Sequence, residues 1–489
     1  MPNELKEYDL VIIGGGPAGI VGAATAKAAR KTVAVLDNHR ELGGTGVNTG
    51  TVPSKTLRET ALALSCIEAR KLAGVDLVLN HEARVADFLR RERQVKAGFD
   101  AMILQQLKDH KADIYVGTGA FVDPHTIRVQ PGLDREVLAP GSATPEEFLL
   151  RGESILIATG SSPLHPPVFP FGSPEIYDSD TILKLDLLPA RLAVVGAGVI
   201  GSEYACTFAI MGSSVDLINS RDVLLPFLDR EASLALAAAM KRNGVAFRWK
   251  EEVRECQTRG VAGVRLRLSS GVTLTADAVL VAAGRQSNTQ RLNLSAAGVT
   301  VGERGLIPVD EQFRTNVTHI FAAGDVIGFP ALASTSMEQA RRAVRHALGL
   351  ESGVAPSPLL PYGIYTIPEV SMVGQTEESL EKEDVDYVVG RAYYRDNARG
   401  QIIGDLDGFL KLLCRRCDMK LLGVHMVGEQ ATEIVHIGLM AMLAGCNADV
   451  LAEACFNCPT LGALYKSAAI DAMLHAAGAE ASLTALAAA

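Results

Sequence analysis

The chain has 489 residues, 48% of them hydrophobic and 21% charged, with a net charge of −9. At ~150 residues per domain, this length predicts about three domains. The acidic balance gives no electrostatic reason to expect nucleic-acid binding, and no apolar run reaches the ~18 residues that span a bilayer. Residues 1–7 lack the basic and then apolar layout of a signal peptide, so we expect a cytoplasmic protein.

The first elements are a β-strand, a helix and a second strand. Tyr8–Ile13 is a short apolar run that predicts a buried parallel strand, and a helix rich in small residues follows from about Pro17 to Arg30. Thr32–Asp37 is a second strand that ends in an acidic residue. This order is typical of the βαβ unit of an α/β fold.

The loop between this first strand and its helix has the glycine spacing of a dinucleotide-binding site. Gly14 allows the tight turn, Gly16 lets the backbone approach a pyrophosphate, and Gly19 lets the helix pack close to the strand. The phosphates would then meet the positive end of the helix dipole. Asp37 follows Gly19 by 18 residues and can accept hydrogen bonds from a ribose, so we predict a dinucleotide site here.

A second unit of the same kind begins with the strand Arg191–Val195 and continues to a strand at Ser214–Ile218. Its loop carries Gly196, Gly198 and Gly201 at the same spacing. The chain is therefore predicted to contain two dinucleotide-binding units in tandem.

The second unit differs from the first where its second strand ends. Asn219 and Arg221 stand there, where an NAD-specific site would carry an acid. A carboxylate would repel a 2′-phosphate, whereas Asn219 can bond to ribose hydroxyls and Arg221 can pair with a phosphate. We predict that this pocket accepts both NAD(H) and NADP(H). The alternative is that Arg221 is only a solvated surface charge.

Shifts in composition divide the chain further. Residues 129–152 are rich in Pro, Gly and polar residues and are expected to form loop and hairpin, and a Pro-rich linker near 353–361 opens a last domain that mixes strands and helices. The predicted organisation is 1–155 and 286–355 for the two parts of the first dinucleotide-binding domain, 156–285 for the second, 356–478 for the last domain and 479–489 for an Ala-rich tail.

Eight cysteines in a chain of this size do not predict a disulfide framework. Cys414 and Cys417 form one Cys-x-x-Cys pair, and Cys455 and Cys458 form another. The 37 residues between the pairs are more than a zinc ribbon usually has. We therefore predict no metal site.

With these motifs in place, the chain resembles the pyridine nucleotide–disulfide oxidoreductases, the family of dihydrolipoamide dehydrogenase, almost from end to end. The resemblance rests on both glycine loops and on Gly43–Thr45, Val52–Lys55, Ala158–Gly160, Glu203, Ala283–Arg285, Ala323–Asp325 and Thr366–Glu369. It implies an α/β fold of two tandem Rossmann-like domains, with FAD on the first and NAD(P) on the second. It also implies a C-terminal α+β domain that forms a homodimer.

The resemblance implies roles for single residues as well. Lys55 is expected to pair with Glu203 beside flavin N5 as the catalytic pair, and Asp325 to hold the ribityl chain. A helix that starts around residues 334–337 would point its amides at the negative charge of reduced flavin. The other motif residues expected to contact the cofactors are Gly44, Thr45, Thr159, Gly160, Gly284, Arg285 and Gly324.

The chain departs from the disulfide reductases of this family at the residues that serve disulfide exchange. The two redox cysteines correspond to Gly46 and Thr51, and neither has a thiol. The C-terminal His-Pro and its glutamate partner correspond to Cys458, followed by proline, and to Ala463. The groups that would move the protons of a dithiol are therefore absent. Cys66 and Cys458 stay open as substitute thiols.

The chain is similar to one branch of the family, the soluble NAD(P)+ transhydrogenases, at Val215–Arg221, Gly428–Gly438 and Phe456–Thr460. In the family the disulfide and the nicotinamide lie on opposite flavin faces, so without the disulfide electrons must leave by the side on which they entered. We expect reversible ping-pong transfer of hydride from NADPH to flavin N5 and on to NAD+. The branch commonly keeps the first cysteine, and this chain does not.

Two other functions are weighed against this one. The first is an NAD(P)H:quinone reductase or oxidase that uses the same flavin without a disulfide. The second is a redox-inactive subunit that resembles dihydrolipoamide dehydrogenase, and the intact Lys55, Glu203 and Asp325 argue against it. The sequence sets neither the physiological direction of transfer nor the assembly beyond a dimer.

Overall fold

The computed structural model describes residues 5–69, 85–109, 112–131, 147–260, 263–350 and 359–478. The predicted Ala-rich tail, most of the Pro-rich linker and the side chain of Cys66 lie outside the described residues. Within the described part of the chain, no helix is long and apolar enough to cross a membrane.

The first part of the chain forms a sheet with parallel central strands. Its elements are β1 (Leu5–Ile13), α1 (Pro17–Ala28), β2 (Val33–Asp37), α2 (Gly44–Asn48), α3 (Thr51–Ala69), α4 (Val85–Asp109), β3 (Asp113–Asp123), β4 (Thr126–Pro131) and β5 (Phe148–Ile157). Strand β1 lies between β2 and β5, and β3 lies parallel on the outer side of β2. The strand–helix–strand order predicted for this region is confirmed.

The hairpin expected within residues 129–152 is confirmed by its two described ends, and residues 132–146 lie outside the described residues. Val129–Pro131 belongs to β4 and Phe148–Gly152 belongs to β5, and β4 pairs antiparallel with both β3 and β5. Because of these backbone hydrogen bonds, the residues are strands although the Pro- and Gly-rich sequence around them is typical of a loop. Strand β5 ends at Ile157, so the first sheet extends past the predicted boundary at residue 155.

The middle of the chain forms a second parallel sheet. Its elements, with a short connecting strand first, are β6 (Ser161–Pro163), β7 (Ile176–Tyr177), β8 (Arg191–Val195), α5 (Val199–Ile210), β9 (Ser214–Asn219), α6 (Arg230–Arg242), β10 (Val245–Trp249), β11 (Val253–Thr258), β12 (Val264–Leu268), β13 (Thr273–Ala276) and β14 (Ala278–Val281). The parallel order is β10–β9–β8–β14–β7, and β11–β13 form a separate antiparallel sheet. This is the second Rossmann-like unit.

The chain then returns to the first sheet. The returning elements are β15 (Arg285–Ser287), β16 (Ile320–Ala322) and α7 (Ala333–Ala347). Strand β16 pairs parallel with β5, α7 packs on α1, and β15 pairs with β6 where the chain leaves and re-enters the first domain. The first domain is thus built from two separate stretches of sequence.

The last domain is an antiparallel sheet covered by helices. Its elements are β17 (Tyr362–Ile364), β18 (Val370–Gly374), α8 (Glu377–Lys382), β19 (Tyr387–Tyr393), α9 (Ala398–Ile403), β20 (Phe409–Arg415), β21 (Leu421–Val427), α10 (Ala431–Leu443), α11 (Ala448–Glu453) and α12 (Leu464–Ala476). The strand order is β17–β18–β21–β20–β19. Its core is continuous with that of the second unit through the side chains of Ile364, Val370 and Phe409.

A buried charge cluster also joins the second unit to the last domain. The Lys411 ammonium is fully buried and lies 2.9 Å from Asp229 and 3.1 Å from Glu231, and it also contacts Glu377. Burial would lower the pKa of Lys411, but the hydrogen bonds to Glu377 and Asp229 raise it, so the lysine stays charged. Among the described residues, these three acids are the one group that could hold a metal ion, and the ammonium lies between them.

We predict that Lys411→Met destabilises the protein by about 3–5 kcal/mol, because it leaves the buried Asp229 carboxylate without its cation. The matched control is Arg416→Met, which breaks an exposed ion pair of 2.9 Å with Asp386 and is expected to cost at most ~1 kcal/mol. Urea unfolding followed by circular dichroism measures both. Equal losses of stability in the two variants would contradict the prediction.

Candidate active site

A cleft of about 1590 Å³ is bordered by all three domains. It brings together more than half of the residues that the sequence predicts for the site. Those that line it are Gly14, Gly16, Asp37, Gly44, Thr45, Lys55, Thr159, Gly160, Glu203, Arg285, Gly324 and Asp325. The other predicted residues, which do not line it, are Gly19, Gly196, Gly198, Gly201, Asn219, Arg221 and Gly284.

The three glycines of the first loop are required for different reasons. Gly14 has a φ of +111°, and a Cβ there would lie 2.2 Å from the carbonyl oxygen of Ala158. A Cβ on Gly19 would lie 1.9 Å from the Gly14 oxygen. A Cβ on Gly16 would meet nothing nearer than Gly44, at 3.8 Å. Packing therefore requires the outer two glycines, whereas the middle one leaves open space on the cleft.

The second loop repeats this arrangement. Gly196 has a φ of +104°, and a Cβ on Gly201 would lie 1.8 Å from the Gly196 oxygen. A Cβ on Gly198 would have no atom within 4 Å. Helix α5 follows directly, and its residues Val199 and Ile200 line the cleft, so the second nucleotide loop opens toward the same cleft as the first.

The residue at the end of the second strand supports the glycine loop in both units. The Asp37 carboxylate accepts a hydrogen bond of 2.6 Å from the amide of Gly15. The side-chain oxygen of Asn219 accepts one of 3.4 Å from the amide of Ala197. Asn219 therefore takes the structural place of Asp37 without its negative charge.

Three buried polar atoms of the cleft lack a hydrogen-bond partner in the described part of the chain. They are the side-chain oxygens of Asn48, Thr159 and Tyr204. Burial raises the pKa of Tyr204 well above its usual range, so its hydroxyl keeps a proton to donate. Because unpaired buried polar groups are costly, these atoms indicate a polar ligand. With the open space at Gly16, the residues fit a dinucleotide such as FAD.

An ion pair between two helices lies on the wall of the cleft. The Lys55 ammonium of α3 is 2.6 Å from one oxygen of Glu203 on α5. The other Glu203 oxygen accepts a hydrogen bond of 2.9 Å from the backbone amide of Tyr365. The Tyr365 ring also lies 5.0 Å from the ammonium, a distance at which cation–π attraction acts. Residues from three domains therefore fix this pair.

Sequence reasoning gave no role to Tyr365 or to the contacts that hold it. Arg58 lies one helical turn after Lys55, pairs with Glu369 at 3.0 Å and donates to the backbone oxygen of Thr366. Glu369 also accepts from the amide and hydroxyl of Thr432. The only sequence signal was the family motif Thr366–Glu369, which borders Tyr365. Burial raises the pKa of Tyr365, so its phenol stays neutral.

Asp325 is held by a second polar network. The Ser161 hydroxyl donates to Asp325 at 2.7 Å and accepts from the Arg285 guanidinium, also at 2.7 Å. The same guanidinium reaches the Thr45 hydroxyl at 3.5 Å and lies 3.6 Å from Asp180. Arg285 thus links the segment at which the chain re-enters the first domain with α2. Ser161 was not predicted, although it follows the motif Ala158–Gly160.

No cysteine is among the described residues that line the cleft, whereas Gly46 and Thr51 both line it. Cys206 is buried in α5, and burial raises the pKa of its thiol to about 12, which disfavours a reactive thiolate. Cys458 is exposed and lies outside the lining. Within one chain, the described residues therefore provide no thiol at the site.

Comparison with known proteins defines the class. A family model described as pyridine nucleotide-disulphide oxidoreductase matches residues 8–347, and the model of its dimerisation domain matches residues 360–469. The chain therefore belongs to the pyridine nucleotide-disulphide oxidoreductase family, whose members use FAD with NAD(P)H as substrate. The predicted fold class is confirmed, and the last domain is the one through which the chain forms a homodimer.

The chain is similar to particular members over almost its whole length. A soluble pyridine nucleotide transhydrogenase of Mycobacterium bovis is 45% identical over 469 residues, which cover 96% of this chain and 98% of the relative. One of Pseudomonas putida is 38% identical over 479 residues, covering 95% and 98%. A solved structure of LpdA from Mycobacterium tuberculosis aligns with a TM-score of 0.85 at 29% identity, covering 94% and 98%.

We predict that replacing the middle glycine of each loop by alanine affects the binding of FAD and the binding of NADPH separately. Gly16→Ala is expected to lower the affinity for FAD roughly tenfold without unfolding, because its Cβ enters the space where a pyrophosphate approaches. Gly198→Ala is expected to keep its FAD and to weaken NADPH binding instead. Flavin absorbance per protein and NADPH titration measure the two effects, and each variant is the control for the other. Equal loss of flavin from both would contradict the assignment.

Proposed function

We propose that this protein is an FAD-dependent pyridine nucleotide transhydrogenase that transfers hydride reversibly between NADPH and NAD+ by a ping-pong mechanism. The observation that carries the proposal is a cleft that is lined by the first nucleotide loop, by the start of the helix after the second loop and by the Lys55–Glu203 pair. Gly46 and Thr51 stand in it at the disulfide positions. When bound, FAD supplies the chemistry that accepts and returns the hydride. The names of the relatives from M. bovis and P. putida support the same activity.

Lys55 and Glu203 are the catalytic residues in this proposal. An ammonium fixed in a half-buried position stabilises negative charge that develops beside it. Glu203 holds the ammonium in place, and its own position is set by the Tyr365 amide. No mobile acid or base is needed for hydride transfer, because alignment of the reactants and the local field carry the reaction. The rigid pair therefore suits this chemistry better than proton transfer.

The remaining predicted residues bind the dinucleotides in this proposal. Asp325, which lines the cleft and is held by Ser161, would hold the ribityl chain. Helix α7 begins at Ala333 beside the cleft, which supports an interaction of its amides with negative charge. The backbone of the other motif residues shapes the cofactor site. They are Gly44, Thr45, Thr159, Gly160, Gly284 and Gly324.

One pocket for both nicotinamide dinucleotides follows from the ping-pong scheme. The neutral Asn219 amide shapes the strand end, because it donates to the backbone oxygens of Arg221 and Val223. The Arg221 side chain is exposed and, within the described chain, makes no hydrogen bond or ion pair, so it is free for a 2′-phosphate.

A cytoplasmic location remains a prediction, and the relatives named as soluble proteins support it.

We predict that NADPH bleaches the flavin under anaerobic conditions and that NAD+ then restores its absorbance in the same sample. Initial rates with both substrates should give the parallel lines of a ping-pong mechanism, and the count of free thiols should not change on reduction. Flavin that stays bleached after NAD+ is added would contradict transhydrogenation. Turnover with menadione or oxygen that exceeds turnover with thio-NAD+ would indicate a quinone reductase or oxidase instead.

We predict that Lys55→Met slows flavin reduction by NADPH about 100-fold, which is the usual size of effect when a group that stabilises developing charge is removed. FAD content should be retained, because the backbone of α3 is unchanged. The control is Lys31→Met, since Lys31 also pairs with a carboxylate, Asp9 at 2.9 Å, but outside the cleft. Anaerobic stopped-flow absorbance measures both rates. Similar rates in the two variants would exclude a catalytic role for Lys55.

A further inference from the structure

An ion pair that no motif predicts lies next to Arg221 at the second nucleotide site. The Lys250 ammonium is 2.8 Å from the carboxylate of Asp222, and the two side chains are 72% and 61% exposed. Asp222 follows Arg221 in the loop after β9, and Lys250 follows the last residue of β10. The pair therefore lies at the carboxyl ends of two adjacent parallel strands, the edge of a Rossmann sheet where nucleotides bind.

Backbone contacts hold Lys250 next to the carboxyl end of β9, where the ribose of the dinucleotide is proposed to bind. Trp249 pairs in register with Asn219. Beyond this pair, the amide of Lys250 donates to the Arg221 oxygen at 3.4 Å, and the amide of Glu251 donates to the Asn219 oxygen at 3.0 Å. Lys250 has a φ of +57°, an uncommon left-handed conformation for a residue with a side chain. The turn after β10 is therefore fastened to the loop that carries Arg221.

Arg221, Asp222, Lys250 and Glu251 carry the charges at this edge, and the Glu251 carboxylate accepts hydrogen bonds from the Ser269 hydroxyl and the Ser270 amide. Arg221 has no side-chain partner in the described chain, and Lys250 and Asp222 satisfy each other. The hydrogen bond from Lys250 lowers the pKa of Asp222, so the pair stays charged at neutral pH. An exposed ion pair contributes little to stability, and a phosphate dianion attracts an ammonium more strongly than a carboxylate does. A 2′-phosphate can therefore take Lys250 from Asp222 at little cost.

We propose that Lys250 is a specificity residue of the dinucleotide pocket that changes partner with the substrate. With NADP(H), Lys250 leaves Asp222 and binds the 2′-phosphate together with Arg221. With NAD(H), Lys250 stays on Asp222 and neutralises it. The exchange explains how one pocket accepts both forms, since the 2′-phosphate of NADP(H) gains a second cation and NAD(H) leaves Lys250 neutralised. The Asp222 carboxylate that Lys250 leaves is exposed and is solvated by water. The inference rests on the proposed use of both dinucleotides at this site and adds the residue that permits it.

The first test compares the ratio of kcat/KM for NADPH to that for NADH, measured as anaerobic flavin reduction. Lys250→Met is expected to lower this ratio about tenfold, through KM for NADPH rather than kcat, and Lys250→Arg to restore most of it. Asp222→Asn is expected to raise the ratio, because Lys250 is then free for the phosphate. The control is Arg191→Met, which breaks an exposed pair with Asp277 at the start of β8, on the opposite edge of the same sheet.

The second test measures binding alone, so that it does not depend on hydride transfer. Calorimetric titration of the FAD-loaded protein with 2′,5′-ADP and with 5′-AMP reports the contribution of the 2′-phosphate. Lys250→Met should weaken the binding of 2′,5′-ADP and leave that of 5′-AMP unchanged. Added salt should reduce the difference in affinity for 2′,5′-ADP between this variant and the unsubstituted protein. Unchanged affinity for 2′,5′-ADP, or an equal loss for both ligands, would overturn the role of Lys250. Failure of NAD+ to reoxidise the flavin would overturn the proposed function and leave this binding result intact.

Discussion

The ion pair between Lys55 and Glu203 requires the three domains to be in their observed arrangement. Lys55 comes from a helix of the first domain and Glu203 from the first helix of the second, and the Tyr365 amide of the last domain completes the carboxylate's hydrogen bonds. A carboxylate as buried as Glu203 is tolerated only when its oxygens are paired. Displacement of any one domain would leave this carboxylate short of a partner. The need to pair the Glu203 carboxylate therefore links the site to the packing of all three domains.

Two further networks reinforce the same arrangement from outside the cleft. Arg58 and Glu369 tie α3 to the last domain, and the buried Lys411 ties the last domain to the second unit through Asp229. Neither network has the exposed, adjustable character of the pair at Lys250. The molecule thus combines buried charge pairs at the contacts between domains with an exposed pair at the strand end where we propose that both dinucleotides bind.

Local steric requirements explain why much of the fold was predictable. The first and last glycines of both loops leave too little space for a side chain beside neighbouring backbone oxygens, so their spacing in the sequence carries the structure directly. Arg58, Tyr365 and Lys411 were missed because their partners are far away in sequence and no local pattern specifies them. The hairpin of β4 and β5 was expected, but the bounds of its strands were not, because pairing with neighbouring strands outweighs a loop-like composition. Cleft residues that belong to a motif were predicted more readily than the residues that support them.

The division of the first domain into two stretches affects how the protein is made. Strand β16 completes the first sheet beside β5, and Asp325 follows it, but both come after the whole second unit in the chain. When β5 has just left the ribosome, the edge of the first sheet is still open and Asp325 has not yet been synthesised. The cleft between the domains is therefore complete only after the second unit has been synthesised.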